Sequence, residues 1–239
     1  MVETASTSPA PGSRPRRTVD LALALDVDDL VVATRLAHQL RPWFSMVKVG
    51  LELYSATGPD AVVTMVDGGY RVFLDLKLYD IPTTVGKAAR VLGTLGATYL
   101  TVSAAAGQVA LRAAVEGLAE GASNAGLPRP AVLAVTILTS ESDAPRSLLR
   151  QRIEAAVEAG CGGVVCAAGD VAEVKRMAPR LLAAVPGIRL GDGDAHDQAR
   201  VATPSRAVAA GADILVVGRA VTAAADPPRA AAQILADLA

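Results

Sequence analysis

The sequence predicts a single (β/α)8 barrel. Short β-rich apolar runs alternate with longer Ala/Leu/Arg-rich stretches of helical period, eight of each kind. The length of 239 residues suits one such domain. Apolar residues make up 51% of the chain and aromatics only 3%, so the core must come from Ala, Val, Leu and Ile rather than from rings.

Residues 1–18 are rich in Ser, Thr, Pro and Arg and read as a disordered tail ahead of a barrel domain spanning 19–239. The apolar stretch after Arg17 is short, ends in Asp26-Val27-Asp28-Asp29 and lacks a small-residue cleavage site, so it is not an export signal. The expected strands are Asp20–Asp26, Met46–Val49, Arg71–Leu76, Tyr99–Ser103, Ala131–Ile137, Gly163–Cys166, Leu182–Val185 and Ile214–Val217. The expected helices are Asp29–Leu40, Gly58–Val66, Thr83–Leu95, Val109–Gly121, Ala144–Ala159, Asp170–Met177, Pro204–Ala210 and Ala220–Leu238. Gly96-Ala97, Gly160-Cys161 and Gly211-Ala212 each stand before a strand, where a glycine ends the preceding helix in the left-handed conformation. A doubly wound sheet calls for a Gly-rich first turn, and the turn after Asp26 has no glycine.

Composition narrows the partners. A net charge of −1 without blocks of like charge argues against nucleic acid and against a polybasic membrane contact, and no apolar stretch is long enough to span a bilayer. A small molecule is the expected partner. Cys161 and Cys166, with only His38 and His196 as further nitrogen ligands, form neither a zinc pattern nor a disulfide framework and fit a reducing cytoplasm. His38, at helical spacing, and both thiols read as structural, and His196 has no evident partner.

Parallel strands are buried on both faces, so charge at a strand end is costly unless it is paired or meets solvent at the barrel mouth. Asp26, Lys48, Asp75, Lys77, Asp80, Ser103, Thr139, Ser140, Arg189 and Arg219 all fall at or just past carboxyl ends, the face where such barrels build their sites. Within Phe73-Leu74-Asp75-Leu76-Lys77-Leu78-Tyr79-Asp80-Ile81-Pro82, a period of two puts Asp75 and Lys77 on one face, with Asp80 beyond the strand. A cation bracketed by anions is what a proton donor to a developing carbanion needs. The plainer alternatives are an ordinary ion pair for Asp75 and Lys77, a snorkelling surface lysine for Lys48 and a helix cap for Asp26. Pro186-Gly187-Ile188-Arg189 opens a polar loop ending in Asp197-Gln198, and Gly218-Arg219 runs straight into a helix. Two arginines after strands seven and eight favour a phosphate site.

These motifs resemble, in order, those of the bacterial orotidine 5′-phosphate decarboxylase family. They are Leu23-Ala24-Leu25-Asp26, Lys48 to Leu53, Phe73 to Val85, Val135 to Ser140, Pro186 to Arg189, Asp197-Gln198 and Val217-Gly218-Arg219 to Asp226-Pro227. The resemblance implies metal-free decarboxylation of a pyrimidine nucleotide without any cofactor, with Lys77 protonating C6. It implies that Asp75, Lys77 and Asp80 form a catalytic tetrad with Lys48, that Asp26 contacts the ribose side, and that Thr139, Ser140 and Pro186 contact substrate. Arg189, Gln198, Gly218 and Arg219 would hold the phosphate. Asp80 and Thr84 would complete the neighbouring subunit's site in a homodimer. The chain departs from the family at Ser103, Val185, Ala167 and Thr83 and has a shorter connection from Thr139 to Gly163. A paralogue acting on a modified pyrimidine nucleotide, a non-catalytic nucleotide-binding barrel, and a metal-dependent sugar-phosphate lyase are the competing readings.

Overall fold

The computed structural model describes residues 19–141, 144–190 and 202–238. Eight parallel strands close into a barrel in sequence order. They are β1 (Asp20–Ala24), β2 (Met46–Gly50), β3 (Arg71–Leu78), β4 (Tyr99–Ser103), β5 (Ala131–Val135), β6 (Gly163–Val165), β7 (Leu182–Val185) and β8 (Ile214–Val217). Closure comes from β1 pairing with β8, Ala22 opposite Val216. The outer ring is α1 (Leu30–Leu40), α2 (Leu51–Thr57), α3 (Asp60–Asp67), α4 (Pro82–Gly93), α5 (Gly107–Asn124), α6 (Arg146–Ala159), α7 (Val171–Met177), α8 (Pro204–Ala209), α9 (Arg219–Thr222) and α10 (Pro227–Ala236).

Strand alternation divides the core into two layers. Leu21, Leu23, Val47, Val49, Leu215 and Val217 point outward to the helices, whereas Ala22, Ala24, Met46, Ile214 and Val216 fill the barrel. The interior is not purely aliphatic. Phe73 lies inside it, edge-on to Tyr99 with ring centroids 6.0 Å apart. Below this layer, at the amino end of the barrel, Arg71 donates to both carboxylate oxygens of Asp20, at 2.6 and 3.0 Å.

Two expected helices are corrected. The stretch after β2 is helical from Leu51, and Gly58, at φ +64°, with Pro59 separates that turn from α3. The long terminal helix is two, because Asp226 caps a new one over Pro227-Pro228, accepting from Arg229 N. Strands β1, β5 and β6 stop short of the expected Asp26, Ile137 and Cys166, and β3 runs two residues past Leu76. Gly96, Gly160 and Gly211 all adopt positive φ as expected. The expected tail over residues 1–18 and the residues His196, Asp197 and Gln198 lie outside the described residues.

Candidate active site

At the carboxyl end of the barrel a cavity of about 560 Å³ opens, a size typical of small-molecule sites. Alternation delivers its floor. Asp26 continues the inward row of Ala22 and Ala24; Lys48 and Gly50 continue that of Met46; Asp75 follows Phe73. Pairing brings these rows together, with Ala24 opposite Lys48 and Gly50 opposite Asp75.

Lys77 reaches the same face by a different route. Between Leu74 and Leu78 the β3–β4 register slips: four steps along β3 match two along β4, from Leu100 to Val102. The extra residues bulge, and Lys77 takes φ +49°. A left-handed lysine is strained by roughly 1 kcal/mol or more, which concentrates at sites where the surroundings hold it. Here its amide donates to Thr101 Oγ1 at 2.8 Å, and its ammonium donates to both Asp75 oxygens at 2.9 Å.

Asp75 is the hub. It is 9% exposed, and besides Lys77 it receives the Thr101 hydroxyl at 2.9 Å and faces Lys48 Nζ at 3.7 Å. Burial by itself pushes its carboxyl up, but the Lys48 and Lys77 ammonium groups and the hydrogen bonds from Lys77 and Thr101 outweigh this and hold it below the usual carboxylate value. Lys48, 8% exposed, also donates to Asp26 Oδ1 at 2.9 Å. It is therefore no snorkelling surface lysine. Nor does Asp26 cap a helix: Asp29 does, accepting from Val32 N at 2.8 Å.

The opposite wall carries Pro186, Gly187 and buried Arg189 after β7, and Gly218, Arg219 and Thr222 after β8. The helix after β8 is a single turn whose hydrogen bonds start with Val221 N and Thr222 N to Gly218 O. Thr139 lines the cavity beside Ile137 and Leu138. Ser140, Asp80 and Thr84 are exposed and are not part of its lining. Asp80 Oδ1 instead accepts from Ile81 N at 2.6 Å, and among the described residues Lys77 pairs with Asp75, not with Asp80.

Three of the departures noted in the sequence also stand off this wall. Ser103 turns its hydroxyl to Ala105 N at 3.3 Å, capping the short 3-10 turn Ala104–Ala106, while Ala167 and Val185 are fully buried outside the lining. The connection from Thr139 to Gly163 carries α6 (Arg146–Ala159). The contacts of Thr101 and the nearness of Gly50 to the ammonium were not foreseen. The available signal was the polar side chain of Thr101 standing between apolar Leu100 and Val102 in the middle of a buried strand.

Fold and site together define a β/α-barrel enzyme class with an interlocked lysine–aspartate centre at one side of the mouth and arginines at the other. The comparisons narrow the class. Residues 20–234 match the model of the Orotidine 5′-phosphate decarboxylase / HUMPS family, and the chain belongs to that family. It is 44% identical over 230 residues to an orotidine 5′-phosphate decarboxylase of Nitratidesulfovibrio vulgaris, covering 92% of this chain and 97% of the relative. Against the enzyme of that name from Moorella thermoacetica the identity is 40% over 231 residues, 91% of each chain. Among solved structures, the orotidine 5′-phosphate decarboxylase of Lactobacillus acidophilus superposes with a TM-score of 0.76 at 33% identity, over 92% of this chain and 99% of that one.

Proposed function

We propose that this protein converts orotidine 5′-phosphate to uridine 5′-phosphate and CO2, with Lys77 as the proton donor. The observation that carries the reading is the Lys77 ammonium, held by both oxygens of a buried Asp75 at the barrel mouth. The bond from C6 to the carboxylate breaks, the electron pair stays on C6, and the Lys77 proton takes it up as CO2 leaves. Asp75, gripped by two ammonium groups and a hydroxyl, serves to fix Lys77, and Lys48 steadies Asp75 while its other contact, Asp26, faces the ribose. A charge network arranged before substrate arrives needs little reorganisation in the transition state.

Arg189, Arg219 and the backbone around Gly218 are suited to a phosphate dianion; Gln198, which the family resemblance adds to them, lies outside the described residues. Binding energy from that remote group can organise the reacting centre. Pro186 and Thr139 would flank the base, and Ser140, outside the lining, would not. Because Ser103, Ala167 and Val185 stand away from the cavity lining, the unmodified nucleotide is favoured over a modified one. The carboxylates Asp26 and Asp75 are each engaged by lysine, which favours proton delivery over the metal chemistry of a sugar-phosphate lyase.

The loop carrying Asp80 also carries Tyr79 and Ile81, which are 68% and 65% exposed. Two large apolar side chains beside an outward carboxylate support a homodimer in which Asp80 and Thr84 enter the partner's site. Two buried cysteines in no disulfide among the described residues fit a cytoplasmic enzyme, and no described helix is long and apolar enough to cross a membrane.

The test is the fall in orotate-type ultraviolet absorbance in excess chelator. Native protein is expected to turn over, and Lys77→Ala to lose at least about 10³-fold in turnover while binding uridine 5′-phosphate as before. No absorbance change at high native enzyme concentration would sink the reading.

A further inference from the structure

We infer that Thr101 is a positioning residue for the reaction, its single hydroxyl setting both the backbone of Lys77 and the carboxylate of Asp75. The inference rests on the function proposed above. The register shift leaves Asp75, Leu76 and Lys77 facing a stretch of β4 in which Thr101 is the one residue between Leu100 and Val102. A bulge of this kind interrupts the ladder, so the amide of Lys77 needs a partner other than a strand carbonyl. Thr101 Oγ1 accepts from that amide at 2.8 Å and donates to Asp75 Oδ1 at 2.9 Å, using one acceptor and its only donor. Thr101 is fully buried, so water does not compete for either bond.

The chemistry of the residue fits the task. A β-branched side chain on a strand has few χ1 choices, and the hydroxyl is therefore fixed by β4 rather than by the groups it holds. Lys77 sits in a left-handed conformation that lysine does not favour by itself. A hydrogen bond to its amide at that residue selects the conformer that swings Nζ back onto Asp75, instead of along the strand. The second bond fixes the plane of the carboxylate so that both oxygens meet the ammonium at 2.9 Å. One side chain thus couples main-chain strain to ammonium position without touching substrate itself, being absent from the cavity lining.

Thr101→Val keeps the shape and removes the hydroxyl; Thr101→Ser keeps the hydroxyl and removes the methyl. For the Val variant, kcat is expected to fall about 10- to 100-fold, the range associated with misplacing a reacting group by about 1 Å. Binding of uridine 5′-phosphate should stay within about twofold. The Ser variant should recover kcat to within a few-fold of native. A Val variant that keeps native kcat overturns the inference, and so does a folded Ser variant as slow as the Val variant, since the methyl would then matter rather than the hydroxyl. If Thr101→Val does not fold, Thr101→Ser decides alone: a folded Ser variant whose kcat falls about 10-fold or more below native overturns the inference, and one within a few-fold of native with the Lys77 amide still protected supports it. Amide exchange over Phe73–Tyr79 supplies a readout independent of turnover: the Lys77 amide should lose protection in Val and keep it in Ser. Unchanged protection refutes the latch, whereas lost protection in a protein that never decarboxylates the nucleotide refutes the proposed reaction and leaves the latch standing.

Discussion

Gly50→Ala isolates the position of one ammonium from everything else in the site. The glycine has φ −97°, which any residue adopts, so its small size, not its flexibility, is what the site uses. A Cβ added there would point into the mouth and lie 2.8 Å from Lys48 Nζ and 3.2 Å from Asp26 Oδ1. Ordinary contact begins at 3.4 Å, so the ammonium must recede by about 0.6 Å, enough to disturb its contacts with both Asp26 and Asp75. The far end of a lysine moves easily, so the fold should tolerate the change; Ala in place of Gly at a helix N-cap costs ~0.5–1 kcal/mol. Turnover should suffer more, by about 10- to 100-fold, or roughly 1.4–2.7 kcal/mol in the barrier. Steady-state decarboxylation and a thermal melt on the same preparation separate the two effects. An alanine variant with native kcat and a native melt would refute the claim that Lys48 must sit where it does.

Two further outcomes follow from ionisation. Asp75 is held below the usual carboxylate value, so its stabilising contribution is present above about pH 4 and is lost as pH falls through the folded value. Asp75→Asn should therefore flatten the acid side of the melting profile and lower stability at pH 7 by ~1–3 kcal/mol, discounted because the Lys77 side chain is 36% exposed; equal acid slopes in variant and native protein would contradict this. Burial pushes the Cys161 thiol up from 9.0 to about 12. Between those values the unfolded chain has lost the proton and the folded chain keeps it, so stability falls as pH rises, by at most ~1.4 kcal/mol per unit. Melts of Cys161→Ala between pH 9 and 11 should slope less steeply than native, and parallel curves would rule out this assignment.

The barrel was legible in the sequence because strand and helix periods differ and eight repeats leave little choice of topology. Asp26, Lys48 and Asp75 were legible for a related reason: charge at the carboxyl end of a doubly buried strand has few tolerable explanations, and in the structure all three line the barrel mouth. Lys77 was assigned to the correct face by counting in twos, although that counting does not describe its backbone. The strand bulges there, and a left-handed lysine brings the ammonium to the face that simple alternation had indicated. Nothing in Leu76-Lys77-Leu78 signals a bulge, since none of the three is a glycine. Its stabilising partner, Thr101, lies 24 residues away, so local pattern could not connect them. The break before α10 was written in Pro227-Pro228, but an Ala-rich context hid it; the short helix α2, ahead of the expected start at Gly58, was not anticipated.

The distribution of charge around the mouth bears on which way a nucleotide enters. On the β1–β3 side, two aspartates and two lysines of the lining cancel, and the lysines are committed to carboxylates. The β7–β8 side adds Arg189 and Arg219, with Glu52 as the remaining charged residue of the lining. Two arginines on one wall suit a phosphate dianion, whereas the two lysines and two aspartates of the other wall sum to no net charge. In the proposed reaction, a carboxylate on the base would then meet the lysine–aspartate centre with its own charge poorly compensated, beside Asp75 and within reach of an ammonium. Loss of neutral CO2 would leave that charge as an electron pair on C6, and the Lys77 proton would then neutralise it. Under the proposed reaction, the asymmetry that would seat the phosphate would also favour the chemistry at the other end, and it would depend on keeping Lys77 and Lys48 paired, the roles inferred for Thr101 and Gly50.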